Sequence, residues 1–93
     1  MLEKEIEAKT IKYAKSKNIL NFKMNSATSR GLPDRLFISK KDIFFIEFKR
    51  KGQKPSKLQS HLIAQLRDYC CKVYVVYSLE EGIEIIDNIS TLK

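Results

Sequence analysis

The chain has 93 residues, 43% hydrophobic and 31% charged, and its 18 basic and 11 acidic side chains leave a net charge of +7. That length suits one domain with one small core spanning residues 1–93, and the charge favours a polyanionic partner, nucleic acid ahead of an anionic membrane surface. No apolar run approaches the ~20 residues that cross a bilayer, and the charged amino terminus is not a signal peptide.

Residues 2 to 17 read as an amphipathic helix with Leu2, Ile6, Thr10 and Tyr13 on one side and Ile11 and Ala14 at its margin. Glu3 falls inside that apolar arc, Glu7 at its edge, and Glu5 points away. A glutamate near a helix start has a plain role, complementing the helix dipole and pairing with a lysine. Asn18 ends the helix, and Leu20 to Met24 form a short strand. The polar connection that follows, Asn25 to Gly31, contains Ser29 and Arg30. Its small residues can approach a phosphate backbone closely, with Arg30 as the charged contact; an ordinary surface loop explains it equally well. Pro33, with φ set and no donor, suits the first position of the next strand.

Asp34 to Ser39 and Asp42 to Lys49 are β-like runs around a polar break. With Lys40-Lys41 as a two-residue hairpin loop, Ile38 faces Ile43, Leu36 faces Phe45 and Asp34 faces Glu47, and alternation puts Lys49 on the face of Glu47. Lys-Lys is not the Asn-Gly or Asp-Gly that such loops favour, and a longer loop would shift the register by one. Glu47 lies between Ile46 and Phe48 in a strand that otherwise reads as buried. Burying a charge without a partner costs several kcal/mol, on the order of what a divalent cation would offset. Two carboxylates, and a lysine on the same face, point to metal-assisted phosphate chemistry.

Lys49-Arg50-Lys51-Gly52-Gln53-Lys54-Pro55 is a basic turn, in which Arg50, Lys51 and Lys54 are candidate DNA contacts. Ser56-Lys57-Leu58-Gln59 fits a capping box, a complete structural reason for Gln59, though its side chain can also reach the site. The helix runs to about Tyr69 with a stripe of Leu58, Leu62, Ile63, Leu66 and Tyr69, leaving Lys57, Gln65 and Arg67 solvated. Cys70 and Cys71 are adjacent, which ordinary disulfide geometry does not fit. With one histidine, His61, and no CxxC, a zinc site has no support; the reading is a reduced, cytosolic protein with structural cysteines. Val73 to Tyr77 reads as a central strand covered on both sides, joining the sheet beside the hairpin by a crossover. Ser78 caps a last helix, Leu79 to about Ile89, although Gly82 leaves a short strand over Gly82 to Ile86 open. The expected fold class is α/β, a small mixed sheet flanked by helices in the order α-β-β-β-α-β-α.

An amino-terminal glutamate helix, Arg30-Gly31-Leu32-Pro33-Asp34, then Ile46-Glu47-Phe48-Lys49-Arg50 and the Ser56-x-x-Gln59 helix start resemble the VRR-NUC family of the PD-(D/E)xK nuclease superfamily. The similarity runs from Glu3 to about Ile86. It implies a restriction-endonuclease-like fold in which Asp34, Glu47 and the Phe48 backbone carbonyl bind metal. Lys49 then orients or activates water, Glu3 matches the helix glutamate and Gln59 the family glutamine. Either Glu3 or Glu7 meets the metal, directly or through water; Glu7 falls where relatives often carry glutamine and either shares the role of Glu3 or supports it. Phe48 departs from the common valine, a change to packing more than to chemistry.

Hard carboxylate oxygens suit Mg²⁺ or Mn²⁺, so the expected activity is metal-dependent hydrolysis of DNA phosphodiesters, weakened steeply by salt. The resemblance further implies a Holliday-junction-resolving homodimer acting on branched or four-way-junction DNA, in a bacterial cytoplasm and often of phage origin. The last helix, Tyr74 and Tyr77 are candidates for the dimer surface. The alternatives are a catalytically silent DNA-binding module, a flap or other structure-directed nuclease, and a site-specific restriction-type nuclease. Ninety-three residues leave the last little room for base reading.

Overall fold

In the computed structural model, which describes residues 1–24 and 30–90, helix α1 spans Glu3–Ser16 and stops at Asn18, as expected. Asn18 takes a left-handed φ of 59°. Its N–H donates to the Lys15 carbonyl at 3.1 Å, and that of Ile19 reaches back to Ala14 at 3.0 Å. Those two bonds close the helix by a Schellman motif, with asparagine in the position glycine usually fills.

Strands β1 (Leu20–Lys23), β2 (Arg35–Ile38) and β3 (Ile43–Phe48) form an antiparallel meander. Leu36 pairs with Phe45 and Ile38 with Ile43, the register expected for a Lys40-Lys41 loop. The turn closes with Ser39 N–H donating to the Asp42 carbonyl at 2.8 Å. Neither lysine has the positive φ of a primed turn. Instead Ser39 Oγ accepts from the N–H groups of Lys41 (3.1 Å) and Asp42 (2.8 Å), so a serine side chain holds a turn that the lysines do not favour.

Helix α2 (Lys57–Asp68) leads to β4 (Lys72–Val76), which pairs parallel to β3, and α3 (Leu79–Ser90) follows. The α-β-β-β-α-β-α order holds. The segment from Gly82 to Ile86 is helical, and Ser78 Oγ accepts from Glu81 N–H at 3.2 Å at the start of that helix.

Two expectations are corrected. Sheet order is β1-β2-β3-β4, so β4 is an edge strand and not a central one. Its apolar run reflects cover on both faces, since α2 packs on it from one side and α3 from the other. The α2 stripe is also narrower than its periodicity suggests. Ile63 is buried and Leu62 and Leu66 half-buried, but Leu58 and Tyr69 are 51% and 76% exposed. The helix lies over one edge strand, so only the line of residues facing β4 is covered.

Alternation divides the sheet. Phe37, Phe44, Ile46, Phe48 and Val76 project to one face and meet Ile6 and Ala14 of α1 and Ile86 and Ile89 of α3. Phe37 and Phe44 stack with ring centroids 5.2 Å apart. Leu36, Phe45 and Glu47 project to the opposite face, where Ile63 and Val73 are buried under α2. Among the described residues no helix is long and apolar enough to cross a membrane.

Candidate active site

Where the β2–β3 ladder ends, side chains take over from backbone pairing. Asp34 N–H donates to Glu47 Oε1 at 3.1 Å, and Phe48 N–H donates to Asp34 Oδ2 at 2.8 Å. Each strand's main chain thus holds the other strand's carboxylate. Gly31 helps to bring Asp34 there. Its φ is +90°, and a Cβ on it would stand 3.0 Å from Leu58 Cγ, so the approach needs both the left-handed conformation and the missing side chain.

Glu47 is 1% exposed, and its second oxygen is also occupied. Gln59 Nε2 donates to Glu47 Oε2 at 2.9 Å, and Lys49 Nζ stands 3.4 Å from the same atom. Gln59 performs both tasks the sequence offered it. Its Oε1 accepts from Ser56 N–H at 2.9 Å while Ser56 Oγ accepts from Gln59 N–H at 3.1 Å. The capping box fixes the side chain, which leaves its amide nitrogen aimed at Glu47.

Helix α1 brings its glutamates to the same end of the sheet, but to different partners. Glu3 Oε1 lies 4.0 Å from Lys49 Nζ, with its side chain 39% exposed. Glu7 instead pairs with Arg35, Oε2 to Nε at 2.7 Å, and Arg35 also donates to Asn21 Oδ1 at 3.1 Å. Sequence reasoning missed Arg35. The signal was alternation, which places Arg35 on the face of Phe37, where a half-buried guanidinium requires an acid.

Burial first, and then the charge of Asp34, push the Glu47 carboxyl up to about 7, against the opposing pull of Lys49 and the Asp34 N–H. Asp34 is also raised, chiefly by burial, then by Glu7 and Glu3, against the Phe48 N–H and the Lys49 charge. These are two desolvated acids short of positive charge.

Arg30, Arg50, Lys51 and Lys54 are all exposed. Arg50 lines a shallow depression with Glu3, while Ser29 lies outside the described residues. Among the described residues no three His, Cys, Asp or Glu side chains gather around one point. The acids that converge are Asp34 and Glu47, with Glu3 across Lys49 and Glu7 held by Arg35.

Neither a scan against protein-family models nor a search of curated proteins gives a match. Among solved structures, one described as a VRR_NUC domain superposes with a TM-score of 0.83 at 24% sequence identity, covering 91% of this chain and 94% of that one. The likeness establishes the fold: the small mixed sheet and its three helices are arranged as in a VRR_NUC domain.

Proposed function

We propose that this chain is a VRR-NUC nuclease domain, a metal-dependent, structure-selective endonuclease. It hydrolyses phosphodiesters in branched DNA and resolves four-way junctions as a homodimer in the cytoplasm of a bacterium or a phage-infected cell. The observation that carries the reading is the convergence of two carboxylates, Glu47 held by the Asp34 N–H and Asp34 by the Phe48 N–H, with Lys49 and Gln59 on the second oxygen of Glu47. A fold needs no such cluster for stability, since two buried acids of raised pKa cost free energy.

The donor set fits Mg²⁺ or Mn²⁺. Asp34 and Glu47 are hard oxygen donors, and burial first and then the charge of Asp34 hold the Glu47 carboxyl up at about 7; a dication would offset both. Two protein carboxylates, the Phe48 carbonyl and several waters make a Mg²⁺-like set. When bound there, the ion supplies Lewis-acid polarisation of the phosphodiester and a more acidic water.

The protein's own part is positional. Gln59 and the Asp34 N–H hold Glu47 in one rotamer, and the Phe48 N–H does the same for Asp34. Lys49, fixed beside Glu47 and only 17% exposed, orients the attacking water and offsets charge gathering on the phosphoryl oxygens. Water oxygen bonds to phosphorus, the bond to the leaving sugar oxygen breaks, and that oxygen takes up a proton. Glu3, at the mouth beside Lys49, orders water, while Glu7 is a supporting residue held by Arg35. Arg30, Ser29, Arg50, Lys51 and Lys54 contact phosphates around the site.

The test is cleavage of labelled four-way junction, flap and linear duplex DNA with Mg²⁺, Mn²⁺ or EDTA, beside a Lys49→Ala variant. Paired symmetric nicks in the junction, lost in EDTA and in the variant, are expected. Flap cutting with intact junctions would overturn the resolvase assignment, and tight junction binding without cutting by either metal would make the chain a binding module.

A further inference from the structure

We infer that two copies of this chain associate through the open face of the sheet, the face that carries Leu20, Phe22, Leu36, Ile38, Ile43 and Phe45. This deepens the homodimer reading above and rests on it. Pairing places the six in two cross-strand rows. Leu20, Ile38 and Ile43 form one, and Phe22, Leu36 and Phe45 the other. All lie on the face that α1 and α3 do not cover, and α2 packs on β4 and meets β3 at its far end, where Gln59 holds Glu47.

Leu20 is 60%, Phe22 51% and Ile43 57% accessible, and Leu36, Ile38 and Phe45 between them are half-buried. The patch is on the order of 400 Å², within the range of the largest that monomers leave uncovered. A standard interface buries about 800 Å² on each partner, roughly 60% of it apolar. This face therefore supplies the apolar centre of one such interface.

Charge selects the occupant. None of the six side chains is ionisable, so a polyanion finds no cation here. Two chains of net charge +7 repel wherever their lysines meet, and this uncharged face is where they can approach. A two-fold axis through it makes each row its own complement. The Asp34–Glu47 pair occupies the next row of the same face, about 7 Å along the strands, so both sites of the dimer border the seam on the two protomers. The sequence-level candidate Tyr74 does not serve as the surface, because it stands on the opposite face of the sheet, beside Ile46, and packs edge-on against Phe44 at 6.0 Å.

Sedimentation equilibrium of the whole chain, with circular dichroism melts as a check on folding, tests the inference. The 10.8 kDa chain is expected to sediment at twice that mass at micromolar concentration. Ile43→Lys and Leu20→Lys should each weaken association roughly 30-fold or more, as loss of a central anchor does. The milder Ile43→Thr, which keeps the strand, should weaken it less, and Tyr69→Lys on exposed α2 surface should leave the dimer intact. A monomeric wild type, or folded lysine variants that remain dimeric, would overturn the inference. Cleavage by the same preparations keeps the two readings apart. Monomeric variants that nick single strands but lose paired cuts support the seam; an inactive dimer would sink the nuclease reading and leave the seam standing.

Discussion

Gln59 Nε2 donates to Glu47 Oε2 across 2.9 Å while the same amide's oxygen closes the cap of its own helix on Ser56 N–H. One side chain thereby couples the start of α2 to the rotamer of a buried acid. Gln59→Glu keeps a capping-box residue but sets a second carboxyl against Glu47. The expected outcome is a melting temperature within a few degrees of wild type with cleavage reduced roughly 10- to 100-fold, the usual effect of losing a partner that orients a metal ligand, the role proposed for Glu47. Gln59→Ala should lose about 1 kcal/mol of stability as well. Denaturant melts and single-turnover cleavage measure the two effects separately.

The two α1 glutamates are expected to part company. Glu7→Gln breaks a pair whose side chains are 21% and 19% exposed and leaves Arg35 half-buried without an acid, at a cost of roughly 1–3 kcal/mol. Glu3→Gln removes a carboxylate that only approaches Lys49 and should leave the melt within about 0.5 kcal/mol. It should lower cleavage more than Glu7→Gln does once both variants are assayed well below their melting temperatures. Equal losses of activity would mean that Glu7 acts at the site as well.

The contribution of Glu47 to the stability of the metal-free protein should fall as pH rises. Native Glu47 keeps its proton up to about pH 7, whereas the unfolded carboxyl loses it near 4.5. Between these values the native state binds more protons, so this group's contribution declines through the window and the penalty is complete above it. The ceiling is about 3 kcal/mol, lowered by solvent reaching the open side of the site. The difference in unfolding free energy between wild type and Glu47→Gln, measured in EDTA from pH 4 to pH 8, should show that slope. Added Mn²⁺ should stabilise the wild type at pH 8 and hardly at pH 4.

Gly82 lies in the middle of α3, where alanine would ordinarily gain about 1 kcal/mol. Here a Cβ would stand 2.6 Å from Thr10 Oγ1, a contact that forces α1 and α3 apart. Gly82→Ala should therefore destabilise by roughly 1–3 kcal/mol. Thr10 Oγ1 is buried without a hydrogen-bond partner, so Thr10→Ala costs little and makes room. The double variant should be more stable than Gly82→Ala alone, a non-additivity that a double-mutant cycle of melts will register.

The sequence by itself determined what is local or strictly periodic. Element order, the Asn18 helix end and the Ser56 cap follow from spacing and local chemistry, and the hairpin register from alternation, because a one-residue slip would turn Phe37 and Phe44 out of the core. The same register brought Asp34 opposite Glu47 and Lys49 onto their face. Tertiary structure decided what covers what. Val73 to Tyr77 looked central because its run is apolar throughout, and only the docking of α2 and α3 on the two faces of an edge strand explains that. Arg35 took Glu7, and the face bearing Leu20, Phe22 and Ile43 was left open, for a related reason. Periodicity tells which side chains share a side; which neighbour meets that side depends on contacts between residues far apart in the chain, and no local pattern records them.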